Sequence, residues 1–378
     1  MTVAEPRLAL VGTYTHAQPT RGDAGRVAQG VYLVACAADG RIEVRGVVAC
    51  DDPSFVVLHP HLPLAYAVNE RSVAPGGLTV IALGEGGAGT PVVRLEAPLA
   101  GELPCHLAVL PDGSGLVVVH FRCATVQWLG LDAHGLPDGR TASARHAGSG
   151  PHPRRQAAAH AHCVLALGGE LDVTDLYVTD LGMDAVVHYR VQAPAARRGD
   201  RAVGWMLVEQ SRLAVHAGAG PRHLCAAADG RTLWLCNEID NSVSTLRRLP
   251  DGSLREEDWT HALPAGEAGR SATSEIALHP SGRWLYVGNR GHDSIVRFEL
   301  DERGTPRSPV WVPCGGAHPR HFALAPAGDL LLVANRDSDV LQAFAVDARD
   351  GTLAARAVQP QDGLGGVVPN PACVRWLP

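Results

Sequence analysis

GPRHLCAAADGRTLWLCNE, residues Gly220–Glu238, is two apolar runs hinged on Asp229-Gly230. Arg222 and His223 stand at one open end, Asn237 and Glu238 at the other, with little charge between them. Asp-Gly between apolar runs is hairpin chemistry, because glycine enters the positive-φ region that tight turns need. A hairpin brings its open ends together, so Arg222 and Glu238 are expected close in space although 16 residues separate them.

The unit recurs. PSFVVLHPHLPLAYAVNE begins at Pro53, PCHLAVLPDGSGLVVVHF at Pro104 and HAHCVLALGGELDVTDLYVTDLG at His160. SEIALHPSGRWLYVGNRG begins at Ser274, PRHFALAPAGDLLLVANRD at Pro319, and PACVRWLP at Pro371 opens another. With Pro221 included, successive starts lie 51, 56, 61, 53, 45 and 52 residues apart. A period near 50 residues built of short strands indicates a propeller, not a helical solenoid. Third strands follow several hairpins, as in NSVSTLRRL, DSIVRFEL, SDVLQAFAVD and DAVVHYRV. Weaker fourth strands fill the stretches between units, and no long amphipathic helix is expected. Leu224, Ala226 and Ala228 on one face and Cys225 and Ala227 on the other are all small or apolar. A sheet sandwiched between two others needs that pattern.

Seven units in 378 residues average 54 each. The seventh is expected to be split. PACVRWLP would supply its inner strand, LALVGTYT (Leu8–Thr15) the partner and GVYLVACAADG the next strand. Pairing of the termini would then close the ring and leave no free edge there. The expectation is an all-β chain: one domain over residues 1–378, a seven-bladed β-propeller of four-stranded antiparallel blades.

Composition narrows the function. The chain is 46% hydrophobic and 19% charged, with a net charge of −6. An acidic balance argues against nucleic-acid binding. All 33 basic residues are arginine. Schiff-base lysine chemistry and a P-loop are therefore excluded, and anions must be met by Arg, His or backbone N–H groups. No apolar run is long enough for a membrane span. The start, MTVAEPRLALVGTYT, lacks a basic segment followed by an apolar one, so no export signal is expected. The nine cysteines are odd in number and form no C-x-x-C pair. They are expected as reduced thiols in a cytoplasmic protein. No G-x-S-x-G and no dinucleotide fingerprint appears, and no cofactor is expected. His160 and His162 alternate and should share one face of a strand, but lack the further ligands a zinc site needs.

If the blades repeat, all the open ends ring one mouth of the channel. Folding back pairs Ser54 with Glu70, His106 with His120, and His162 with the Asp180 region. It likewise pairs Glu275 with Arg290 and Arg320 with Arg336. Arginine recurs at 222, 290, 320 and 336, which favours an anion site, since Arg binds carboxylate and phosphate bidentately. Glu275 stands where other units have Arg-His and is a candidate partner of Arg290. Asn69, Asn237, Asn289 and Asn335 read as turn residues.

The blocks VGTYT, PSFVVLHP…YAVNE, PCHLAVLPDG, RQAAAHAHCV, VTDLGMDAV, GPRHLCAAADGR…NE, SEIALHPSGRWLYVGNRGHDSI and PRHFALAPAGDLLLVANRDSD span nearly the whole chain. Together they resemble the seven-bladed β-propeller lactonases, among them bacterial propeller-type 6-phosphogluconolactonases and fungal carboxy-muconate cyclases. The resemblance implies catalytic residues at His162 (or His160), Arg222, Glu238 and Arg290. Arg155 and Gln156 belong to a shared block. With His160, His106, Glu70, Glu275 and Arg320 they are the expected substrate contacts. Relatives commonly have Asn-Tyr where VVHF ends the second unit, so His120 is expected to alter the rim. The implied reaction is hydrolysis of an anionic sugar-acid lactone, most simply 6-phosphogluconolactone, with His162 or Glu238 as base. The alternatives are lactonisation of a carboxy-muconate and a non-catalytic scaffold.

Overall fold

In the computed structural model, Pro221–Ala226 pairs antiparallel with Thr232–Asn237, and Gly230 turns the hairpin at φ 64°. The structure describes residues 5–16, 27–71, 75–84, 90–168, 174–194, 204–267, 271–356 and 367–378. Among them the strands form seven four-stranded antiparallel sheets, and the one helical turn is a 3-10 turn at Arg336–Ser338. No helix among the described residues is long and apolar enough to cross a membrane.

Six blades follow the chain, with inner strands Phe55–Leu58, Pro104–Val109, Ala161–Gly168, Pro221–Ala226, Ala272–Leu278 and Pro319–Leu324. The seventh blade joins the termini. Its inner strand is Pro371–Trp376, paired with Arg7–Thr13 in a register that sets Val11 opposite Val374. Gly30–Cys36 and Ile42–Ala49 complete it. Each inner strand contacts the next, and the seventh contacts the first, which closes the ring.

The core lies between the blades. Trp284 and Tyr286 of the fifth blade pack with Phe322 and Phe344 of the sixth, all nearly inaccessible. Burying one such ring is worth about 1.5–3 kcal/mol. A polar tie repeats across these seams. Tyr66 Oη donates to Gly135 O (2.7 Å), Tyr177 Oη to Gly252 O (2.7 Å) and Tyr286 Oη to Gly351 O (2.6 Å), each in the following blade. Trp234 Nε1 does the same to Gly304 O at 2.7 Å. These ties give each buried donor a partner, as burial requires.

One irregularity positions the site. In five inner strands the register slips just after the start, at Pro104/His106, Ala161/Cys163, Pro221/His223, Thr273/Ile276 and Pro319/His321. A bulge inserts an unpaired residue and re-aims its side chain. Cys105, His162, Arg222, Ser274 and Arg320 fall in these bulges.

Candidate active site

Glu238 is the hub of the upper mouth. Its Oε2 accepts from Arg222 Nε at 3.0 Å and lies 2.7 Å from Arg290 Nη2. Arg155 Nη2 donates to Oε1, and His162 Nε2 stands 3.8 Å from Oε2. Burial opposes ionisation of this carboxyl. Arg290, Arg222, His162 and Arg155 nevertheless hold it well below the usual carboxylate range.

The arginines are fixed from behind. Arg222 Nη1 donates to the Ser274 carbonyl, and Arg290 Nη2 to the Thr273 carbonyl at 2.7 Å. Both carbonyls belong to the fifth blade's inner strand, so the fourth and fifth blades share the cluster. Burial, with the charges of Arg222 and Arg320, lowers Arg290 to about 10 despite Glu238. Burial and Arg222 push the His162 imidazole well below its ordinary value, so it is neutral at pH 7.

A second cluster adjoins the first. Tyr14 Oη donates to Glu70 Oε2 at 2.9 Å and accepts from Arg320 Nη2. The Arg320 guanidinium also lies 5.0 Å over the Tyr14 ring and 3.9 Å from Glu70. Arg222, Arg290 and Arg320 are sheltered with Glu70 and Glu238, which leaves one positive charge in excess there, and the exposed Arg155 adds a second at the edge. Buried charge in excess of its partners is costly unless a ligand of opposite sign completes it.

The structure brings together Glu238, Arg222, Arg290, Arg155 and His162, with Glu70 and Arg320 alongside. His160 lies just outside the strand. Its ring stacks on Phe121 at 4.5 Å and 9°, while His162 meets the edge of the same ring at 5.4 Å and 80°. The bulge at His162 breaks the alternation expected of the two histidines, yet both still meet Phe121.

Four expected placements are corrected. His106 is not a rim residue. It follows the bulged Cys105 and lies one layer deeper, 4.0 Å from the Phe55 ring. Glu275 is in that same layer and does not pair with Arg290. It accepts from His223 Nδ1 (2.9 Å) and lies 3.0 Å from His321 Nε2. The bulge puts Ser274, not Glu275, at the level of Arg222. Gln156 is fully buried and makes no rim contact. Its amide bonds Leu181 O (2.9 Å), Asp184 Oδ1 (2.5 Å) and His152 N (2.9 Å), which secures the loop carrying Arg155. His120 does not alter the rim either, since its ring is buried against Gly101.

Two rim residues escaped the sequence reading: Tyr14 and Phe121. The signal was present. The residue after Thr13, Asn69, His120, Asn237 and Asn289, at or just past the end of a second strand, faces the mouth, which gives Tyr14, Glu70, Phe121, Glu238 and Arg290 as one set. The position before it is structural. Asn237 Nδ2 donates to Ser242 Oγ at 2.8 Å, Asn69 Nδ2 to Asp51 O at 2.7 Å and Asn335 Nδ2 to Cys314 O at 3.0 Å. Among the described residues, no three His, Cys, Asp or Glu side chains converge to hold a metal ion.

Residues 8–376 match the family described as "Lactonase, 7-bladed beta-propeller". A 6-phosphogluconolactonase from Bacillus subtilis is 25% identical over 298 residues, 78% of each chain. The crystal structure of a Lactobacillus plantarum protein superposes with a TM-score of 0.82 at 25% identity, covering 99% of this chain and 100% of that one. The periplasmic gluconolactonase of Pseudomonas aeruginosa superposes with a TM-score of 0.78 at 27% identity, covering 98% and 99%.

Proposed function

Because this chain belongs to the seven-bladed β-propeller lactonase family, we propose that it hydrolyses an anionic sugar-acid lactone, 6-phosphogluconolactone foremost, at the upper mouth. The observation that carries this reading is the surplus of guanidinium groups around one buried carboxylate, beside a neutral histidine.

His162 is the general base. Its imidazole is neutral and open to a proton, whereas both oxygens of Glu238 are already taken up by Arg155, Arg222 and Arg290. His162 Nε2 takes a proton from water as the water oxygen bonds to the lactone carbonyl carbon. The resulting imidazolium stands 3.8 Å from Glu238, which offsets its charge. Arg222 and Arg290 donate to the oxyanion. Losing one such donor typically costs about 10²–10³ in rate. The ring C–O bond then breaks, the leaving oxygen takes the proton from His162, and the acid is released. Arg320 and Arg155, at the edges of the cluster, hold the phosphate.

The nine cysteines are all free thiols, which suits a reducing compartment, and we place the protein in the cytoplasm.

Lactone hydrolysis is measured at pH 7 with 6-phosphoglucono-1,5-lactone, glucono-1,5-lactone and 3-carboxymuconate. The phosphorylated lactone is expected to show the highest kcat/KM, by about 10–100-fold over the neutral one, the worth of one or two hydrogen bonds to a charged group. No acceleration over spontaneous hydrolysis, or turnover of the muconate alone, sinks the reading.

A further inference from the structure

Phe55 comes from the first blade. Its ring nonetheless lies 4.0 Å from His106 of the second, 5.9 Å from His223 of the fourth and 5.5 Å from His321 of the sixth. A ring that meets three others drawn from around the circle sits on the propeller axis. Glu275 ties His223 to His321, and all five side chains are buried. This layer plugs the channel directly beneath the upper site.

Below the plug lies a cavity of about 730 Å³. It opens between the exposed prolines Pro60, Pro111, Pro280 and Pro326, on the face opposite Glu238. Its size is that of a small-molecule pocket, which typically holds about 300–1,000 Å³. The walls are largely apolar, with Val57, Ala108, Cys225, Ala277 and Ala323 each two residues beyond one of these five side chains and Leu165 at the matching place in the third blade. The seventh blade breaks the pattern with Arg375.

Arg375 Nε donates to Val56 O at 3.4 Å, and the guanidinium has no carboxylate partner among the described residues. The imidazoles and the carboxylate around the cavity balance, while His321 and Arg375 draw the buried Cys373 thiol below its ordinary value against the pull of burial. Burial and Arg222 push His223 down to about 4, so it is neutral. Cys373 and Glu275 outweigh burial and lift His321 to about 9, so it offsets Glu275. A largely apolar pocket with one guanidinium that no carboxylate meets is complementary to a molecule that is apolar along its length and anionic at one end. Arg grips a carboxylate bidentately, and each CH₂ buried on the walls adds about 0.8 kcal/mol.

We propose that this lower cavity is a second binding site, for a small amphiphilic carboxylate whose head group sits on Arg375 and whose chain lies along the alanine and leucine walls.

Calorimetric titration of the whole protein with sodium octanoate tests it, with 1-octanol and octylamine as chain-matched controls. One octanoate is expected per chain, bound at least about tenfold more tightly than either control, as a charge-assisted contact implies. Arg375→Met keeps the stem and removes the charge. It is expected to weaken octanoate by about tenfold, to the level of octanol. Ala277→Leu narrows the cavity and is expected to weaken both. Saturating 6-phosphogluconate should leave the octanoate isotherm unchanged, because the plug separates the two mouths. Octanoate that binds no more tightly than octanol, that survives either substitution, or that 6-phosphogluconate displaces overturns the proposal.

Discussion

Glu238 Oε2 lies 2.7 Å from Arg290 Nη2, so a carboxylate of the fourth blade anchors a guanidinium of the fifth. The same carboxylate takes Arg222 from its own blade and Arg155 from the loop before the third blade's inner strand. Glu238→Gln keeps the shape and removes the charge that holds three cations together. Breaking a buried ion pair by removing one partner costs about 3–5 kcal/mol. Denaturant melts should show a loss of that order together with loss of lactonase activity. Unchanged stability would show that the cluster does not depend on this charge.

His162 is held beside Glu238 but takes part in few polar contacts, so its removal is a test of chemistry more than of folding. His162→Gln is expected to lower kcat by about 10²–10⁴, the usual range for losing a general base. The unfolding midpoint should move little. A variant that retains more than a tenth of wild-type kcat would place the base elsewhere.

Arg320 sits at the edge of the cluster with Tyr14 and Glu70, where the phosphate of the substrate is placed. Arg320→Gln should raise KM for 6-phosphogluconolactone by about tenfold or more, the worth of one charge-assisted hydrogen bond. It should change KM for the unphosphorylated lactone much less. Equal effects on both substrates would remove Arg320 from phosphate binding.

Phe121 touches both histidines but has no group that reacts. Phe121→Ala removes the face on which His160 stacks and the ring edge that steadies His162. Aromatic pairs of this kind contribute about 0.5–1.5 kcal/mol beyond their buried area. Turnover should fall about tenfold with little change in KM, and Phe121→Tyr should restore it. A loss confined to KM would contradict a positioning role.

Stability should peak near pH 6.5. Burial holds His120 at about 4, and burial with Arg222 holds His223 at about 4. Between pH 6.5 and 4 the unfolded chain binds these protons and the folded one does not, so stability falls as pH drops through that window. His216 and His321 run the other way, both lifted to about 9 against the pull of burial. Asp240 and Glu256 raise His216, and Cys373 and Glu275 raise His321. Between pH 6.5 and 9 the folded chain holds these protons and the unfolded one does not, so stability falls as pH rises. Thermal melts from pH 4 to 9 check this, and His216→Gln should flatten the alkaline limb. A curve still rising at pH 8 would contradict the assignment.

Much of the fold was legible in one stretch and its echoes. The Asp-Gly hinge marks a hairpin, the period near 50 residues marks blades, and apolar residues on both strand faces require neighbours on both sides. The split seventh blade follows from the fragment at Pro371 and the strand at Leu8. The pairing of Arg222 with Glu238 was legible for the same reason: a hairpin's geometry is local, set by turn and register.

Depth in the channel was not legible. Sequence alternation assigns a side chain to one face of a strand or the other, and on that rule His106, Arg222 and Glu275 read as one rim. The chain itself determined which residues end each strand. The bulges decided the rest, because one extra residue turns Arg222 and His162 up toward the mouth and sends His106, His223 and Glu275 down to the axis. A bulge depends on how each inner strand is packed between its neighbours, and on the crowding of seven strands around one axis. That is a property of the closed ring, so only the tertiary structure could separate the rim from the plug.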